Sequence, residues 1–259
     1  MKKNCLFFAA SILFLLVGCK KSTAKVEPAA NGQSALKFLA STSWTAGFMD
    51  IAGVDGVEII APASLRHPPE YEVTVSDIQK INDSSYFVYA GFERMMKTLG
   101  DAVTADSKMI KIKCDNSIET VSLEAKKLAE IFGTQDECKK RLEEYCAVVE
   151  KGKNRLAKEG LSGAKVFCNK NQIYLAKDLG LELVQTFGPG EVTSEQIAFA
   201  KEQDFVFIID NVHNPVGSPL LEVAPDAKYV VWRNFPETVE RASLKKVIES
   251  NIDCLFKEE

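Results

Sequence analysis

The chain has 259 residues, of which 46% are hydrophobic and 26% charged, and a formal net charge of -4. That length is enough for one large domain or for two lobes of ordinary size. Because binding to phosphates needs a basic surface, the mildly acidic balance argues against nucleic acid as a partner.

Residues 1–18, MKKNCLFFAASILFLLVG, have the layout of a secretion signal. Two lysines precede an apolar run of about a dozen residues, which is too short to span a bilayer. The run ends in Leu16-Val17-Gly18-Cys19, which resembles a bacterial lipobox. In such signals the cysteine is lipidated and becomes the first residue of the mature chain. The alternative is an ordinary signal in which Cys19 is incidental.

Residues 19–34 are polar and lack periodic apolar positions, which predicts a flexible tether. We therefore expect an exported protein that is anchored to a bacterial membrane by acyl chains on Cys19, on the periplasmic or cell-surface side. No transmembrane helix should remain after processing.

Short β-rich runs alternate with helical patterns in residues 35–117. The runs LKFLAST, GVEIIAP and SYFVYAG end in small or turn residues, and KMIKIKC alternates apolar and polar positions. The segments WTAGFMDIAG and FERMMKTLGDAV suit helices. Such an alternation predicts a mostly parallel sheet.

The segment SLRHPPEYE, Ser64 to Glu72, carries His67, one of the two histidines in the chain. Its double proline disfavours both a helix and a central strand. Prolines on the wall of a cleft would fix this loop, so that the imidazole is preorganised for a ligand.

Residues 118–160 form a helical linker. Gly133-Thr134 divides an earlier helix, SIETVSLEAKKLAEIF, from a longer one. Apolar residues recur on the longer helix at three-, four- and seven-residue steps and predict one buried stripe: Cys138, Leu142, Tyr145, Val149 and Leu156.

The alternation resumes in residues 161–259. AKVFC, LELVQTFG, FVFIIDN and KYVVWRN are predicted strands, and NQIYLAKDLG, SEQIAFAKEQ and SLKKVIESNIDCLF are predicted helices. The fold class is thus α/β, with two Rossmann-like βα lobes built on mostly parallel sheets. One long rigid helix joins the lobes, and a ligand cleft lies between them.

Five cysteines remain when Cys5 leaves with the signal and Cys19 carries lipid: Cys114, Cys138, Cys146, Cys168 and Cys254. An odd number cannot all pair within one chain. Eight helical residues separate Cys138 from Cys146 by roughly 12 Å, which is too far to bridge. At least one free thiol is therefore expected.

Two motifs resemble the solute-binding lipoproteins of zinc and manganese ABC importers, the helix-linked class of periplasmic binding proteins. The first motif is PPEYEVTVSDIQKINDSSYFVYAG with the GFER that follows, and its matching residues are Tyr71, Glu72, Ser76, Asp77 and Glu93. The second motif is NKNQIYLAKDLGLE, and its matching residues are Tyr174, Ala176, Gly180, Leu181 and Glu182. The likeness covers most of the mature chain.

The resemblance implies a metal bound by three histidines and a carboxylate at strand ends, but none of these four ligands is plainly kept. The first histidine aligns with Pro69, and the third with Asn169. The second falls near Cys114, Asp115 and Asn116, and the carboxylate falls near Arg233 and Asn234. The histidine-rich loop of many zinc-binding members is also missing.

Other groups at the strand ends are candidates instead, because ligands of open α/β sheets bind beyond the carboxyl ends of the strands. His67 and His213 follow strands of different lobes and are predicted to face one cleft. We take His67, His213, Cys168 and Asn169 as candidate metal ligands, and Arg233, Glu93 and Cys114 as further residues of the cleft.

Each candidate also has a structural interpretation. His67 could cap a helix or pack in its loop, and His213 could be a turn residue. Cys168 could be a small core residue, and Glu93 could stabilise the start of a helix.

The expected function is a receptor that captures a transition metal and delivers it to an ABC importer permease. Two imidazoles with a thiolate or carboxylates suit zinc, whereas manganese would require more oxygen ligands. An alternative cargo is an anionic or chelated solute, because Arg233 at the fourth ligand position would repel a bare ion. A surface adhesin without metal binding is a further alternative.

We expect a monomer and no enzyme activity. The sequence contains no nucleophile–base pair, no glycine-rich phosphate loop and no H-E-x-x-H motif.

Overall fold

The computed structural model describes residues 36–103 and 108–257. The predicted signal in residues 1–18, the lipidation site Cys19 and the tether in residues 19–34 lie outside these ranges. Within them, no helix combines the length and the apolar character needed to cross a membrane.

The first sheet has four parallel strands: β1 (Phe38–Ala40), β2 (Glu58–Ile59), β3 (Tyr86–Tyr89) and β4 (Lys108–Lys111). Their order is β2-β1-β3-β4. The helices of this lobe are α1 (Ser43–Ile51), α2 (Val75–Asn82) and α3 (Met95–Leu99). Capping boxes, Thr42 with Thr45 and Thr74 with Asp77, satisfy the free amides at the starts of α1 and α2.

The second sheet repeats this arrangement with β5 (Lys165–Asn169), β6 (Glu182–Phe187), β7 (Phe207–Asn211) and β8 (Lys228–Trp232). Its strands are also parallel, in the order β6-β5-β7-β8. The helices of this lobe are α6 (Ile173–Asp178), α7 (Ser194–Lys201) and α8 (Ser243–Cys254). In both sheets the first strand lies between the second and the third, so the predicted pair of similar βα lobes is confirmed.

Two helices connect the sheets: α4 (Ile118–Phe132) and α5 (Gln135–Lys158). The break falls at Gly133, whose φ of 74° is a left-handed conformation that glycine adopts without strain. The 24 residues of α5 span about 36 Å. All five residues of the predicted stripe on α5 are buried, as expected.

The two lobes share one hydrophobic core. Helix α5 contacts α1 and α4 on the side of the first sheet, and α6 and α8 on the side of the second. Phe48, Tyr145 and Trp232, from α1, α5 and β8, are buried in the same cluster. Residues from Leu36 onward form one compact unit. The lobe boundaries that we place at residues 117 and 160 therefore stay a prediction.

Three local expectations are wrong. The two prolines do not exclude a helical turn, because they begin a single 3-10 turn, Pro68–Glu70, in which the amide that proline lacks is not needed. Strand β2 has two residues and ends well before His67. Cys168 and Asn169 lie inside β5 rather than beyond its end, because the pairing of β5 with β6 continues as far as Asn169.

All five cysteines within the described ranges are unpaired. The expectation of at least one free thiol is therefore confirmed for this part of the chain.

Arg141 on α5 anchors the linker to the first lobe, and its partner Asp50 extends the network to the second. Its buried guanidinium donates to the carboxylates of Asp50, Asp55 and Glu137 at 2.8–2.9 Å. Asp50, at the end of α1, also accepts a hydrogen bond from the amide of Ala242, just before α8. Burial raises the pKa of Asp50, while this amide and the charge of Arg141 act in the opposite direction.

We predict that Arg141→Ala lowers the free energy of unfolding by about 3–5 kcal/mol, because it leaves the carboxylate of Asp50 buried without its partner. Lys140→Ala is the matched control. Its side chain is 70% exposed, with the ammonium 3.5 Å from Glu137, so its loss should cost less than about 1 kcal/mol. Urea denaturation measures both free energies of unfolding. Equal losses in the two variants would show that the ion pairs of Arg141 stabilise the fold no more than an exposed pair does.

Candidate functional site

A cleft of about 620 Å³ lies between the lobes, at the carboxyl ends of both sheets. The segment that ends or follows each of the eight strands contributes to its lining. From the first lobe these residues are Trp44, His67, Pro69, Glu70, Phe92 and Cys114. From the second they are Asn171, Tyr174, Pro189, Asn211, His213, Asn214, Asn234 and Phe235. The structure thus places both histidines in one cleft.

The carboxylate of Asp210, at the end of β7, holds the loop that carries His213. This side chain is fully buried. It accepts hydrogen bonds at 2.6–2.9 Å from five donors: the amides of Asn211, Val216 and Gly217, the side-chain amide of Asn169 and the hydroxyl of Tyr229. The amide of His213 itself donates to the side chain of Asn211 at 2.9 Å. The loop is therefore fixed on the sheet before any ligand binds.

The imidazole of His213 reaches across the cleft to the opposite lobe. Its Nδ1 lies 3.1 Å from the backbone carbonyl oxygen of Arg66. A carbonyl oxygen only accepts, so Nδ1 must carry the proton and donate it, which makes Nε2 an unprotonated acceptor. That Nε2 is buried and has no hydrogen-bond partner among the described residues.

The surroundings of His213 keep its ring neutral. The ring stacks on Phe235 with centroids 3.8 Å apart and an interplanar angle of 11°. Burial, with the charge of Arg233 as the next cause, lowers the pKa of His213 to about 4. A neutral imidazole whose Nδ1–H is bound to a backbone carbonyl is the usual state of a metal-binding histidine.

His67 is exposed on the other wall of the cleft. It precedes the 3-10 turn, where its side chain makes no capping hydrogen bond. Its charge is among the causes that lower the pKa of His213, so the two rings are close enough to interact electrostatically. Pro69, which aligns with a family histidine, and Glu70 line the same wall.

Cys114 also lines the cleft, three residues after β4. Burial raises the pKa of its thiol well above the ordinary value. Burial therefore disfavours the thiolate, the form in which cysteine binds metals. The carboxylate of neighbouring Asp115 is already engaged as an acceptor, because it binds Lys113, Ser117 and Thr120.

Cys168 and Asn169 do not line the cleft. Cys168 is fully buried in the shared core, and its Sγ contacts the carbonyl oxygen of Asn169. Burial raises the pKa of this thiol as well. The side chain of Asn169 bonds Asp210 and the amide of Asn171. Both residues stabilise the sheet and its first turn.

Glu93 and Arg233 lie beside the cleft without lining it. Glu93 is buried, and its carboxylate accepts from the amides of Ala90 and Gly91 and from the hydroxyl of Ser41. It thereby ties the end of β1 to the end of β3. Arg233 forms a 2.8 Å ion pair with Glu237.

Sequence reasoning missed the bridge at the base of the cleft. The side-chain amide of Asn116, after β4, donates to the carbonyl oxygen of Asn234 at 2.7 Å. Its own oxygen accepts from Nε1 of Trp44 at 2.9 Å. Trp44 in turn packs on Phe235, whose ring stacks on that of His213. Asparagine and aromatic residues after successive strand ends were the available signal.

No three His, Cys, Asp or Glu side chains in the described ranges are close enough together to hold a metal ion. The cleft therefore brings together two imidazoles, a carboxylate and a thiol without forming a complete set of protein ligands.

Solved structures that share this fold include the following three. The laminin-binding protein Lmb of Streptococcus agalactiae, titled a bifunctional protein with adhesin and metal-transporting activity, is 17% identical, with a TM-score of 0.65 over 85% of this chain and 98% of that one. FpvC of Pseudomonas aeruginosa in complex with Ni²⁺ is 16% identical, with a TM-score of 0.65 over 85% and 95% of the two chains. A Mn-bound periplasmic metal-binding protein of Candidatus Liberibacter asiaticus is 15% identical, with a TM-score of 0.62 over 85% and 98%.

No protein-family model and no curated protein matches the sequence. At 15–17% identity, the likeness to the solved structures concerns the fold. The resemblance read from the two sequence motifs is confirmed at that level: the chain has the two-lobed, helix-linked fold of metal-binding solute-binding proteins.

Proposed function

We propose that this protein is the lipid-anchored solute-binding component of an ABC importer. In this proposal a transition metal is captured in the cleft between the lobes and delivered to a membrane permease. Acylation of Cys19 would anchor the exported chain to its membrane, and the protein would act as a monomer without enzyme activity.

The arrangement of His213 carries the proposal. A buried polar atom without a partner costs about 1–3 kcal/mol, so such atoms are rare unless they have a role. Nε2 of His213 is such an atom, and it belongs to a neutral ring that is oriented by the carbonyl of Arg66. A metal ion bound at Nε2 would satisfy it.

Two further observations support capture of a metal. His67 lies on the facing wall and offers a second imidazole. Structures with the same fold are titled as complexes with Mn, Ni or Cd ions. Zinc accepts imidazole nitrogen and carboxylate oxygen, which the cleft offers, and is the first ion to test, with manganese second.

Binding requires movement, because Nε2 is closed off from water in the present arrangement. Separation of the lobes at this edge would break the hydrogen bond between His213 and Arg66. The bridge from Asn116 to Asn234, at the base of the cleft, would stay in place. We therefore propose a cleft that opens at the two histidines.

We predict that metal-free, untagged protein binds zinc in the cleft, with heat released or a raised melting temperature. His213→Gln should weaken binding by about tenfold or more, because it removes the oriented donor. His67→Gln is the matched control for loss of an imidazole and should have the smaller effect, since His67 is exposed. Isothermal titration calorimetry measures both, and a larger loss in the His67 variant would contradict the assignment.

We also predict the titration of His213, which NMR can follow because the chain contains one other histidine. The pKa of His213 should lie near 4, below the ordinary 6.5, because burial and Arg233 disfavour its proton. The unfolded chain then takes up a proton between pH 6.5 and 4 that the folded chain does not. Stability should therefore fall as the pH is lowered through this window. A His213 pKa near 6.5 would exclude the buried neutral ring.

A further inference from the structure

The cleft is far larger than a bare metal ion requires. A water molecule occupies about 30 Å³ in the liquid, and pockets for organic ligands measure about 300–1,000 Å³. The cleft, at about 620 Å³, falls in the second range. An ion bound at His213 would leave most of this volume for something else.

The charge of the cleft does not match that of a bare divalent cation. Among the described residues that line it, Glu70 is the one carboxylate. Arg233, beside the cleft, is paired with Glu237, so this pair adds no net negative charge. A dication here would be poorly compensated, and burying an uncompensated charge is costly.

The wall is suited instead to an organic molecule. An aromatic row runs along it, with ring centroids 6.1 Å apart from Phe92 to Trp44 and 5.9 Å apart from Trp44 to Phe235. Phe235 then stacks on His213. The amide side chains that also line the cleft, which donate and accept hydrogen bonds without carrying charge, are Asn171, Asn211, Asn214 and Asn234. Apolar rings with a few convergent polar groups are typical of small-molecule sites.

The protein side chains available to bind a metal also favour an organic cargo. The cleft contains no cluster of three His, Cys, Asp or Glu side chains within the described ranges, so the protein does not complete a metal coordination shell there. It does present one oriented nitrogen donor, Nε2 of His213. One such donor suits a metal whose remaining positions are already filled.

We infer that the cargo is a metal chelate: a transition metal held by an organic, anionic chelator that leaves at least one coordination position open. The inference rests on the proposed function and specifies its substrate class. In the capture step, the lone pair of Nε2 forms a bond to the metal and one metal-bound water leaves. The proton stays on Nδ1, and no atom is oxidised or reduced. The aromatic row and the asparagine side chains contact the chelator.

The test compares three nickel probes on the untagged full chain by isothermal titration calorimetry. The probes are Ni²⁺ alone, Ni²⁺–nitrilotriacetate, which carries a negative charge and leaves positions for imidazole, and Ni²⁺–EDTA, in which the chelator fills the positions. We expect nitrilotriacetate-bound nickel to bind one per chain, about tenfold or more tighter than nickel alone. The EDTA complex should not bind.

Variants assign the contact to His213. His213→Gln should weaken binding of the nitrilotriacetate complex by about tenfold or more, whereas His67→Gln should change it less. An equal loss in both variants, or none in either, would overturn the inference. If the His213 variant does not fold, the comparison of the three probes on the wild type decides alone.

The outcomes also separate this inference from the proposed function. Tight stoichiometric binding of Ni²⁺ alone, with the nitrilotriacetate complex excluded, would refute a chelated cargo and leave metal capture intact. Binding of neither Ni²⁺ nor its nitrilotriacetate complex would contradict both.

Discussion

The hydrogen bond between Nδ1 of His213 and the carbonyl oxygen of Arg66 is the contact on which the site depends. It joins the two lobes, fixes the tautomer of the ring and leaves Nε2 as a buried, unpartnered lone pair. The tautomer and the unprotonated Nε2 follow from one fact, that a backbone carbonyl can only accept. The stacked Phe235 and the loop held by Asp210 then keep the ring where that contact forms.

The shared core limits how the cleft can work. Because α5 packs on helices of both lobes, and Phe48, Tyr145 and Trp232 belong to one cluster, large rotations of the lobes would expose buried apolar surface. At the histidines the contact between the lobes is a hydrogen bond, from His213 to Arg66. The opening that we propose there would leave the Arg141 network and the bridge from Asn116 to Asn234 intact, so it would expose less apolar surface.

The sequence predicted the fold far better than the site. Alternating apolar runs placed all eight strands, and Gly133 marked the break before the long helix, because these signals are local. The two histidines were also placed in one cleft, since the ends of parallel strands converge. By contrast, Cys168 and Asn169 were expected just past a strand end, where Asn169 aligns with a family histidine, and the structure shows both inside β5. The residue at which a strand stops pairing with its neighbour decides whether a side chain belongs to the sheet or to the following loop. No local sequence pattern specifies that residue. The carbonyl of Arg66 could not be predicted at all, because a backbone acceptor has no signature in the sequence.

The state of His213 is the most direct test of this account, and a long-range ¹H–¹⁵N correlation spectrum of the metal-free protein at neutral pH would reveal it. The account predicts a neutral ring with its proton on Nδ1 and an unprotonated Nε2. A ring protonated on Nε2, or on both nitrogens, would leave no lone pair for a metal and would contradict it.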